Sequence, residues 1–392
     1  MKILFIANRF PYPPFRGDKL KIYNLALQLS AEHELSLITF AEAESDFQYI
    51  PELKKLFKNI EVIRLPKWQS YLNVALGMLG NNPLQVNYFK SRAFDKALSA
   101  ILQTHRFDAI HVQHLRMAQY AMNRTELRPV LDLPDAFSLY WERRKNVKRS
   151  FLVKMLDNIE SRRVLAYEKK ILPAFKLNLV CSAEDRNFLI EKHGVKTIKV
   201  LPNGVDTTKF KPLNHDYHDA STLLFTGNMD YAPNVDAVIY FTEEILPLIK
   251  KKHPNVKFVI AGQRPVDKVL ALQAVEGVAV TGFIPELQEM YNSASVVVAP
   301  LRFGAGTQNK VLEAMAMGIP VVCSNIGFEG LGIADGEGAF MRTDAASFAE
   351  QVITLLDSAA LRESTGQKGY SAIANNFSWQ KVAALLSGYL SE

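Results

Sequence analysis

Gly306, Lys310 and Glu313 are spaced at i, i+4 and i+7, so that in a helix they share one face. Val311, Leu312 and Met315 are predicted to point elsewhere, into packing. A helix N-terminus that follows glycines offers free backbone N–H groups and a positive dipole end, which favour a diphosphate. Lys310 adds a full positive charge. Glu313 follows about 4.5 Å along the axis at 1.5 Å per residue, which suits the step from pyrophosphate to ribose. One helical turn could therefore hold a nucleotide diphosphate.

The surrounding sequence predicts the elements that position these residues. Val296–Ala299 predicts a buried strand, Gly304 and Gly306 predict a tight loop, Thr307–Met317 predicts a helix, and the next strand starts at Pro320. An alternative is an ordinary solvated lysine and glutamate on a helix surface. The apolar composition around them favours an interior helix instead, where charges need a partner.

Further candidates follow predicted strands in the first half of the chain. Gly17 precedes a helix, and it is either a backbone donor to a phosphate or a plain turn glycine. His114 ends a predicted strand, where binding groups cluster, whereas His111 within that strand is interpreted as structural. Asp132 and Asp135 flank the end of another strand, and Asp135 is a weak candidate for an acceptor contact.

Several common catalytic and metal-binding patterns do not occur in the sequence. It has no Asp-x-Asp pair and no His, Cys and Glu cluster at metal-ligand spacing. It also has no GxSxG elbow, P-loop or GxGxxG fingerprint. These observations argue against a hydrolase, a kinase or a simple dehydrogenase. We expect no cofactor and no essential metal, with protein cations neutralising a bound diphosphate.

Length and periodicity predict an α/β protein with two doubly wound Rossmann-like domains that face each other across a deep cleft. At 392 residues the chain exceeds one typical core, and apolar strands alternate with helices throughout. The predicted strands are Lys2–Ala7, Leu35–Phe40, Ile60–Leu65, Ala109–His114, Val130–Leu133, Leu177–Cys181, Ile198–Leu201, Leu223–Thr226, Val256–Ala261, Val278–Thr281, Val296–Ala299 and Pro320–Ser324. The predicted domains are 1–207 with 377–392, and 208–376, because Lys209–Ser221 has a linker composition and Trp379–Leu390 predicts a helix crossing back to the first domain.

Charge and apolar patterning bear on possible partners. The net charge is +6, and basic residues concentrate at Arg143-Arg144-Lys145, Lys148-Arg149, Lys154, Arg162-Arg163 and Lys169-Lys170. No interleaved aromatic groove motif accompanies them, so nucleic acid is not an expected partner. They form either a surface for anionic lipid or a solvated helix face.

The apolar stretch from Trp68 to Leu79 is either a membrane-docking surface or core, and core is the favoured interpretation. No apolar run approaches a membrane span, and Met1–Ala7 predicts a strand rather than a signal peptide. Cys181 and Cys323 are interpreted as reduced core thiols. The expected location is cytoplasmic, either free or peripheral on the inner face of the membrane.

Six motifs together resemble the retaining GT-B glycosyltransferases of family four, most of all the exopolysaccharide-associated sugar transferase branch. They are Phe10-Pro11-Tyr12-Pro13-Pro14, Gly17-Asp18-Lys19, Leu201-Pro202-Asn203-Gly204-Val205-Asp206, Thr226-Gly227-Asn228-Met229 with Pro233-Asn234, Thr281-Gly282-Phe283, and Gly306 to Met317. The likeness runs nearly end to end, and the combined order is more specific than any one motif.

The resemblance implies a set of site residues. It makes Lys310 and the Gly306 region binders of the diphosphate, and Glu313 a binder of ribose. The backbone around Phe283 and Ile284 would contact the nucleotide base. Gly17 would approach the transferred sugar or phosphate, and His114 would contact the sugar. The catalytic candidates are Lys310, His114 and Gly17; the donor-binding candidates are Glu313, Gly306, Thr307, Asn309, Gly227, Asn228, Phe283, Ile284 and Arg302; the weaker acceptor candidates are Asp135 and Asp18.

The chain departs from the family pattern at three positions. Ala305 stands where the family often has a second glutamate, and Asn228 stands where an arginine is common. Asn234 lies approximately where a lysine is common. Lys310, with Arg302, is therefore expected to supply the positive charge.

The expected activity is that of a retaining, metal-independent, hexosyl-type glycosyltransferase of cell-surface or exopolysaccharide biosynthesis. The expected partners are a nucleotide sugar, a saccharide or lipid-linked hydroxyl acceptor, and an anionic membrane surface. Two alternatives remain open: a nucleotide-sugar 2-epimerase on the same fold, which needs acidic groups that the expected loops rarely offer, and a non-catalytic protein that binds nucleotide sugars.

Overall fold

The computed structural model describes residues 1–124, 127–145, 150–212, 217 and 221–392, which fall into two units. Unit 1 comprises Met1–Pro202 and Trp379–Glu392, and unit 2 comprises Asn203–Ser378. Each unit is built on one parallel sheet flanked by helices, the α/β arrangement that alternating strands and helices predict.

Unit 1 has a parallel sheet of seven strands in the order β3-β2-β1-β4-β5-β6-β7. The strands are β1 Lys2–Ala7, β2 Glu34–Ala41, β3 Asn59–Arg64, β4 Ala109–Gln113, β5 Val130–Asp132, β6 Leu177–Val180 and β7 Ile198–Val200. Along β1, Leu4 and Ile6 belong to the core on one face of the sheet, and Ile3 and Phe5 to the core on the other. Both faces are covered, as the continuous apolar strands predict.

The helices of unit 1 lie between these strands. They are α1 Gly17–Leu29, α2 Ile50–Leu53, α3 Lys67–Gly77, α4 Leu84–Tyr88, α5 Arg92–Thr104, α6 Ala118–Ala121, α7 Phe137–Arg144, α8 Phe151–Ile171 and α9 Ala183–His193, with 3₁₀ turns at Glu44–Tyr49 and Leu172–Ala174. Capping fixes some of their bounds: Ser182 accepts a hydrogen bond from the Asp185 N–H at the start of α9, and Gly194 ends α9 with φ 69°.

Unit 2 has a parallel sheet of six strands in the order β10-β9-β8-β11-β12-β13. The strands are β8 Thr222–Thr226, β9 Lys257–Ala261, β10 Val278–Gly282, β11 Val296–Ala299, β12 Val321–Cys323 and β13 Ala339–Met341. The last of these, β13, was not among the predicted strands. It has three residues and is preceded by two glycines, Gly336 and Gly338, so it carries little periodic signal.

The helices of unit 2 are α10 Ala232–Tyr240, α11 Leu246–Lys250, α12 Asp267–Leu270, α13 Leu287–Asn292, α14 Asn309–Ala316, α15 Asn325–Phe328, α16 Ala345–Leu356 and α17 Ala359–Asn376. A π-helical turn at Phe241–Ile245 joins α10 to α11, and a 3₁₀ turn at Ala271–Ala274 follows α12. Val311, Leu312 and Met315 of α14 belong to the same core as Val297 of β11, so the predicted packing side of α14 is confirmed.

The junction after β7 belongs to unit 2. The predicted boundary after residue 207 lies five residues beyond the one in the structure, at Pro202. The Val205 N–H donates to the Phe377 carbonyl at 2.7 Å, and the side chain of Asn203 binds Asn309. These contacts hold the junction to unit 2.

The predicted linker, Lys209–Ser221, lies partly outside the described residues, at 213–216 and 218–220. Tyr217 within it is fixed to unit 2, because its hydroxyl donates to the Gly318 carbonyl at 2.9 Å. Its own carbonyl accepts from the buried guanidinium of Arg362.

The helix α18, Trp379–Ser391, packs on unit 1, as the sequence predicts. Trp379, Val382 and Leu386 are buried in the core that also holds Phe5. Cys181 and Cys323 are also buried, as predicted. Within the described ranges, no helix combines the length and the apolar composition that crossing a membrane requires.

Core was the wrong interpretation for the apolar stretch from Trp68 to Leu79. Trp68 is 69% exposed and Leu79 is 97% exposed. The periodicity is helical, as in a core-facing helix, but the apolar side of α3 faces solvent.

Candidate functional site

Lys310 is a buried cation in unit 2 whose hydrogen-bond partners are amide oxygens. Its ammonium donates to Oδ1 of Asn234 at 3.1 Å and to Oε1 of Gln308 at 3.2 Å, and it lies 5.1 Å from the centroid of the Phe225 ring. Across the part of the chain that the structure describes, no carboxylate oxygen forms an ion pair with it within 4.0 Å. Burial lowers the pKa of Lys310 to about 8. The ammonium is therefore available to an incoming anion.

Glu313 lies one turn further along α14 and is held by Tyr291. The Tyr291 hydroxyl donates to Oε2 of Glu313 at 2.8 Å and lies 2.7 Å from Oγ1 of Thr226. Burial raises the pKa of Glu313 to about 7, although the Tyr291 hydrogen bond and the charge of Lys310 act in the opposite direction. Sequence reasoning missed Tyr291, since a single tyrosine in a helix of six residues gives no distinct signal.

The loop after β8 closes around Asn234. Its Nδ2 donates to the Asn228 carbonyl at 3.0 Å, so the same amide that accepts from Lys310 also fixes this loop. Gly227 has φ 153°, and a Cβ there would lie 2.5 Å from Nδ2 of Asn234. At Gly262, a Cβ would lie 1.7 Å from the Gly227 carbonyl oxygen. Only glycine fits at these two close approaches.

Asn228 and Asn234, which depart from the family pattern, both form hydrogen bonds within the site. Asn228 accepts a hydrogen bond from the Gln263 amide at 2.7 Å, so its side chain braces the neighbouring loop. A lysine at 234 would replace the oxygen that accepts from Lys310 with a second ammonium. The amide therefore makes Asn234 a positioning residue for Lys310.

The loop before α14 differs from the prediction. The helix begins at Asn309 and not at Thr307, so Gly306 lies outside it and does not share a helix face with Lys310 and Glu313. Gly306 has φ 74°, a left-handed conformation that bends the loop and delays the helix start.

Asn203 fixes this loop in place. Its Nδ2 donates to the Thr307 carbonyl at 3.3 Å and to Oδ1 of Asn309 at 3.1 Å. The side chain of Asn309 is thereby engaged. Sequence reasoning assigned Asn203 to a motif at the domain junction but did not predict that it braces the site.

Arg302 is already neutralised. Its guanidinium forms two hydrogen bonds with the Asp236 carboxylate, at 2.8 and 2.7 Å, and lies over the Tyr240 ring at 4.6 Å. The structure thus gives Arg302 a carboxylate partner of its own. The two residues expected at the nucleotide base differ: Phe283 is 52% exposed, whereas Ile284 packs against the core beneath α14.

In unit 1, His114 follows β4 in a strained, buried position. It has φ 77°, and its Nδ1 accepts from the Arg116 N–H at 3.3 Å. Its ring lies 4.6 Å from that of Phe137. Burial, followed by the charge of Arg116, holds the pKa of His114 well below its usual range. The imidazole is neutral at pH 7 and suits hydrogen bonding rather than charge stabilisation.

Gly17 and Asp18 start α1. Gly17 is the first residue of the helix and is exposed. Asp18 forms an ion pair with Arg9 at 2.6 Å. Burial raises its pKa, but Arg9 and Arg16 outweigh burial and hold the pKa well below the usual range. Asp18 is therefore ionised and engaged, and the arginines that surround it were not among the predicted residues.

Two aspartates lie at the carboxyl end of β5: Asp132 is its last residue and Asp135 follows it. Asp132 is fully buried and accepts from Lys21 at 2.8 Å and from His111 at 3.1 Å, so His111 is structural, as predicted. Burial, reinforced by the nearby Asp185 carboxylate, raises the pKa of Asp135 to about 8. Asp135 is therefore protonated at pH 7 and can donate a hydrogen bond.

The predicted basic stretch is only partly described, since Lys148 and Arg149 lie outside the described residues. Arg144 forms an ion pair with Asp157 at 3.0 Å, and Arg163 lies 3.9 Å from Glu160. Lys154 and Arg162 are exposed.

No group of three or more His, Cys, Asp and Glu side chains suitable for a metal ion occurs among the described residues. The absence of an essential metal stays a prediction.

Two family models match the chain. The model for glycosyltransferase family 4 matches residues 22–209, and the model for glycosyl transferases group 1 matches residues 220–358. The match to the first lies largely in unit 1 and the match to the second lies in unit 2.

Three known proteins illustrate the similarity. A 44.6 kDa protein in the cps region of Klebsiella pneumoniae is 26% identical over 97% of this chain and 97% of its own length. The capsular polysaccharide biosynthesis glycosyltransferase CapM of Staphylococcus aureus is 26% identical over 48% of this chain and 54% of its own, so that match spans about half of the relative. The structure of Anabaena HepE in complex with UDP and glucose covers 100% of both chains with a TM-score of 0.68 at 15% identity.

Each unit has one parallel sheet flanked by helices, which agrees with the fold of the HepE structure. The two family matches together extend over most of the sequence. The chain belongs to the GT-B glycosyltransferases of family four.

Proposed function

We propose that this glycosyltransferase moves a hexosyl group from a nucleotide-diphosphate sugar to a hydroxyl group of a glycan or lipid-linked saccharide, with retention of configuration. The observation that carries the proposal is the pairing of Lys310 and Glu313 on α14. A buried ammonium bound to amide oxygens lies one turn from a partly buried carboxylate held by Tyr291. Such charges lower the stability of the free protein, and a ligand that pairs with both would offset that cost.

The donor is proposed to bind with its diphosphate at Lys310 and its ribose at Glu313. The start of α14 adds backbone N–H groups and the positive end of the helix dipole. Anabaena HepE, whose fold is similar, has been solved with UDP, and this supports a nucleoside diphosphate as the ligand class. The exposed ring of Phe283 offers a face for the nucleotide base.

The transfer breaks the bond between the anomeric carbon and the diphosphate oxygen and forms one to the acceptor oxygen. Lys310 stabilises the negative charge that develops on the leaving diphosphate. The acceptor attacks from the face that the diphosphate leaves, and its proton passes to a departing phosphate oxygen. Configuration is thereby retained without a covalent intermediate on the protein.

Metal independence is proposed because the chain supplies its own cation to the leaving group. The sequence lacks an Asp-x-Asp pair, the arrangement of carboxylates that would hold a metal against a diphosphate. Lys310 fulfils the same electrostatic role with a single positive charge.

The proposed biological setting is the synthesis of a cell-surface or secreted polysaccharide. CapM is named for capsular polysaccharide biosynthesis, and the Klebsiella relative is located in a cps region. Both similarities support this setting for the present chain.

The test is to incubate the full chain with a panel of nucleotide sugars and hydroxyl acceptors, with and without a chelator. We expect acceptor-dependent release of a nucleoside diphosphate at a rate that the chelator does not change. NMR of the product should show the same anomeric configuration as in the donor. Glu313→Gln should weaken donor affinity about tenfold, as expected for loss of a charged hydrogen bond. Glu289→Gln, an exposed glutamate on α13, is the matched control and should leave the affinity unchanged.

Three outcomes would count against the proposal. An isomerised donor without transfer would indicate an epimerase. Donor binding without turnover across the acceptor panel would indicate a binding protein. Equal donor affinity in Glu313→Gln and the control would remove Glu313 from the donor site.

A further inference from the structure

Helix α3 of unit 1 presents its apolar side to solvent. Trp68, Tyr71, Leu72, Leu76 and Leu79 are spaced at i, i+3, i+4, i+8 and i+11, the spacing of one helix face. All five are half-exposed or more, and the exposed fraction reaches 97% at Leu79 just beyond the helix end. A large apolar stripe of this kind on a protein surface is typical of an interaction site.

The opposite side of α3, which faces the protein, is less apolar: it carries Ser70, Asn73 and Gly77 with one valine, Val74. Ser70 is fully buried, and Asn73 donates through Nδ2 to the Lys90 carbonyl at 2.8 Å. A helix on the surface of a globular protein normally has the reverse arrangement, with its apolar side inward. The orientation of α3 is therefore a property of the fold, because Ser70 is buried inside unit 1 and Asn73 is hydrogen-bonded to it.

The N-terminal half of α8 extends the apolar surface. Phe151 is 80% exposed, and Met155 and Ile159 are also exposed. Met155 and Ile159 precede Arg163 by two turns and one turn on the same helix face, and the Arg163 guanidinium donates to the Met78 carbonyl at the end of α3. We call the exposed apolar residues of α3 and α8 the α3–α8 patch; they are Trp68, Tyr71, Leu72, Leu76, Met78, Leu79, Phe151, Met155, Leu156 and Ile159.

The charge around the patch is positive. From Val62 to Phe94 the sequence has no Asp or Glu, but it contains Arg64, Lys67, Lys90 and Arg92. Arg64 forms an ion pair with Glu44 at 3.2 Å, so Lys67, Lys90 and Arg92 carry the positive charge beside α3. The sequence between Glu142 and Asp157, which leads into α8, likewise contains only basic charges; its residues 146–149 lie outside the described part of the chain. An apolar stripe bordered by cations matches an anionic amphiphilic surface.

A polar cavity of about 600 Å³ lies beside α3. Its lining includes Gln69, Asn73, Asn82, Asn87, Lys90 and Arg92, and Leu76 of the patch also contributes to it. Amide and cationic side chains suit the phosphate and hydroxyl groups of a lipid headgroup. The cavity and the apolar stripe therefore match the two ends of one amphiphile.

We propose that the α3–α8 patch binds the surface of an anionic phospholipid bilayer. The aromatic and leucine side chains enter the boundary between headgroups and acyl chains, as in an interfacial amphipathic helix. The flanking lysines and arginines meet the phosphate groups, and the cavity accommodates one headgroup. This binding goes beyond the proposed transfer reaction, and its test needs no donor, acceptor or turnover.

The test measures sedimentation of the full chain with vesicles of phosphatidylcholine alone or of an equal mixture of phosphatidylcholine and phosphatidylglycerol. We expect binding to the mixed vesicles that weakens as salt is raised, and little binding to the neutral ones. Trp68 emission should shift to shorter wavelength on the mixed vesicles, and Trp68→Phe should remove that shift. Leu76→Glu with Leu79→Glu should reduce the partition coefficient at least about tenfold, since burial of one leucine contributes about 1.5–3 kcal/mol.

The matched control is Leu27→Glu with Leu385→Glu, which places the same charges at exposed leucines of α1 and α18. It should bind vesicles like the parent chain. Lys90→Gln with Arg92→Gln should weaken binding severalfold and reduce its salt dependence. Absence of binding to mixed vesicles at low salt would overturn the proposal. A second result would also overturn it: Leu76→Glu with Leu79→Glu binds vesicles like the parent chain but changes the oligomeric state. The patch would then be a contact between copies of this chain.

Discussion

Lys21 in unit 1 and Lys310 in unit 2 are both buried lysines beside a parallel sheet, but their ammonium groups have different partners. Lys21 is 3% exposed and forms an ion pair with Asp132 at 2.8 Å. Lys310 is 8% exposed and donates to the amide oxygens of Asn234 and Gln308. The first charge is compensated within the protein, whereas the second is solvated by neutral dipoles.

This difference separates a structural lysine from a binding lysine. A buried ion pair that is complete has no electrostatic need for a ligand, and removal of one partner leaves a charge without compensation. A buried cation whose hydrogen-bond partners are neutral lowers the stability of the free protein and gains more from an arriving anion. The same substitution should therefore have opposite effects on stability in the two units.

Lys21→Met should give the largest effect. It leaves the Asp132 carboxylate buried without its cation, and the free energy of unfolding should fall by about 3–5 kcal/mol. The change is measured by urea denaturation of the full chain, from the midpoint of the transition in which unit 1 unfolds. Lys21→Met with Asp132→Leu should recover part of the loss, and a loss below about 1 kcal/mol in the single variant would show that the two lysines do not differ as described.

Lys310→Met should slow transfer by about 10²–10³, which corresponds to about 2.7–4 kcal/mol of barrier for a well-placed electrostatic contact. Without donor, the same variant should be more stable at pH 7 by roughly 1–3 kcal/mol, since the pKa is lowered from 10.5 to about 8 and one pKa unit corresponds to about 1.4 kcal/mol. This gain should shrink as the pH rises from 8 toward 10.5, where the parent lysine is neutral in the fold.

The control for that prediction is Arg302→Ala. Because Asp236 already neutralises Arg302 at the surface, its removal should change the transfer rate less than about threefold. A loss in Arg302→Ala equal to that in Lys310→Met would mean that the ion pair opens to bind the donor.

The smallest effect is the pH dependence of donor affinity in the parent chain. Above about pH 8 the Lys310 ammonium is deprotonated, so that binding of an anion must take up a proton and affinity should fall by up to about tenfold per pH unit. Below about pH 7 Glu313 is protonated, and ribose hydroxyls that donate to a carboxylate should bind less well. Calorimetry across this range should give the highest donor affinity between the pKa values of Glu313 and Lys310. In Glu313→Gln, the loss of affinity below pH 7 should disappear, whereas the loss above pH 8 should remain.

The central strands and the packing side of α14 could be predicted because their apolar periodicity is strong. β1 and β11 have the predicted bounds, Lys2–Ala7 and Val296–Ala299. The bounds of α14 were harder, because the left-handed Gly306 and the Asn203 hydrogen bonds decide where the loop ends, and neither is local in sequence. Arg302 was assigned to the donor by its charge, but the partner that engages it, Asp236, lies on α10.

The exposed stretch around Trp68 could not be oriented from sequence for a related reason. The helical spacing of its apolar residues predicts a helix with one apolar side, but it does not give the direction in which that side points. Ser70 and Asn73 on the opposite side decide it through their places inside unit 1. Contacts between elements thus determined what periodicity could not.

The placement of α18 has a consequence for how the chain folds during synthesis. Trp379, Leu386 and Leu390 complete the core of unit 1, yet the ribosome makes them only after the whole of unit 2. Unit 2 is continuous in sequence and can finish folding first. Until α18 is made, the segment Met1–Pro202 of unit 1 keeps part of its apolar surface exposed. Order of synthesis and order of completion are therefore reversed, and the waiting intermediate is the species with most need of a chaperone.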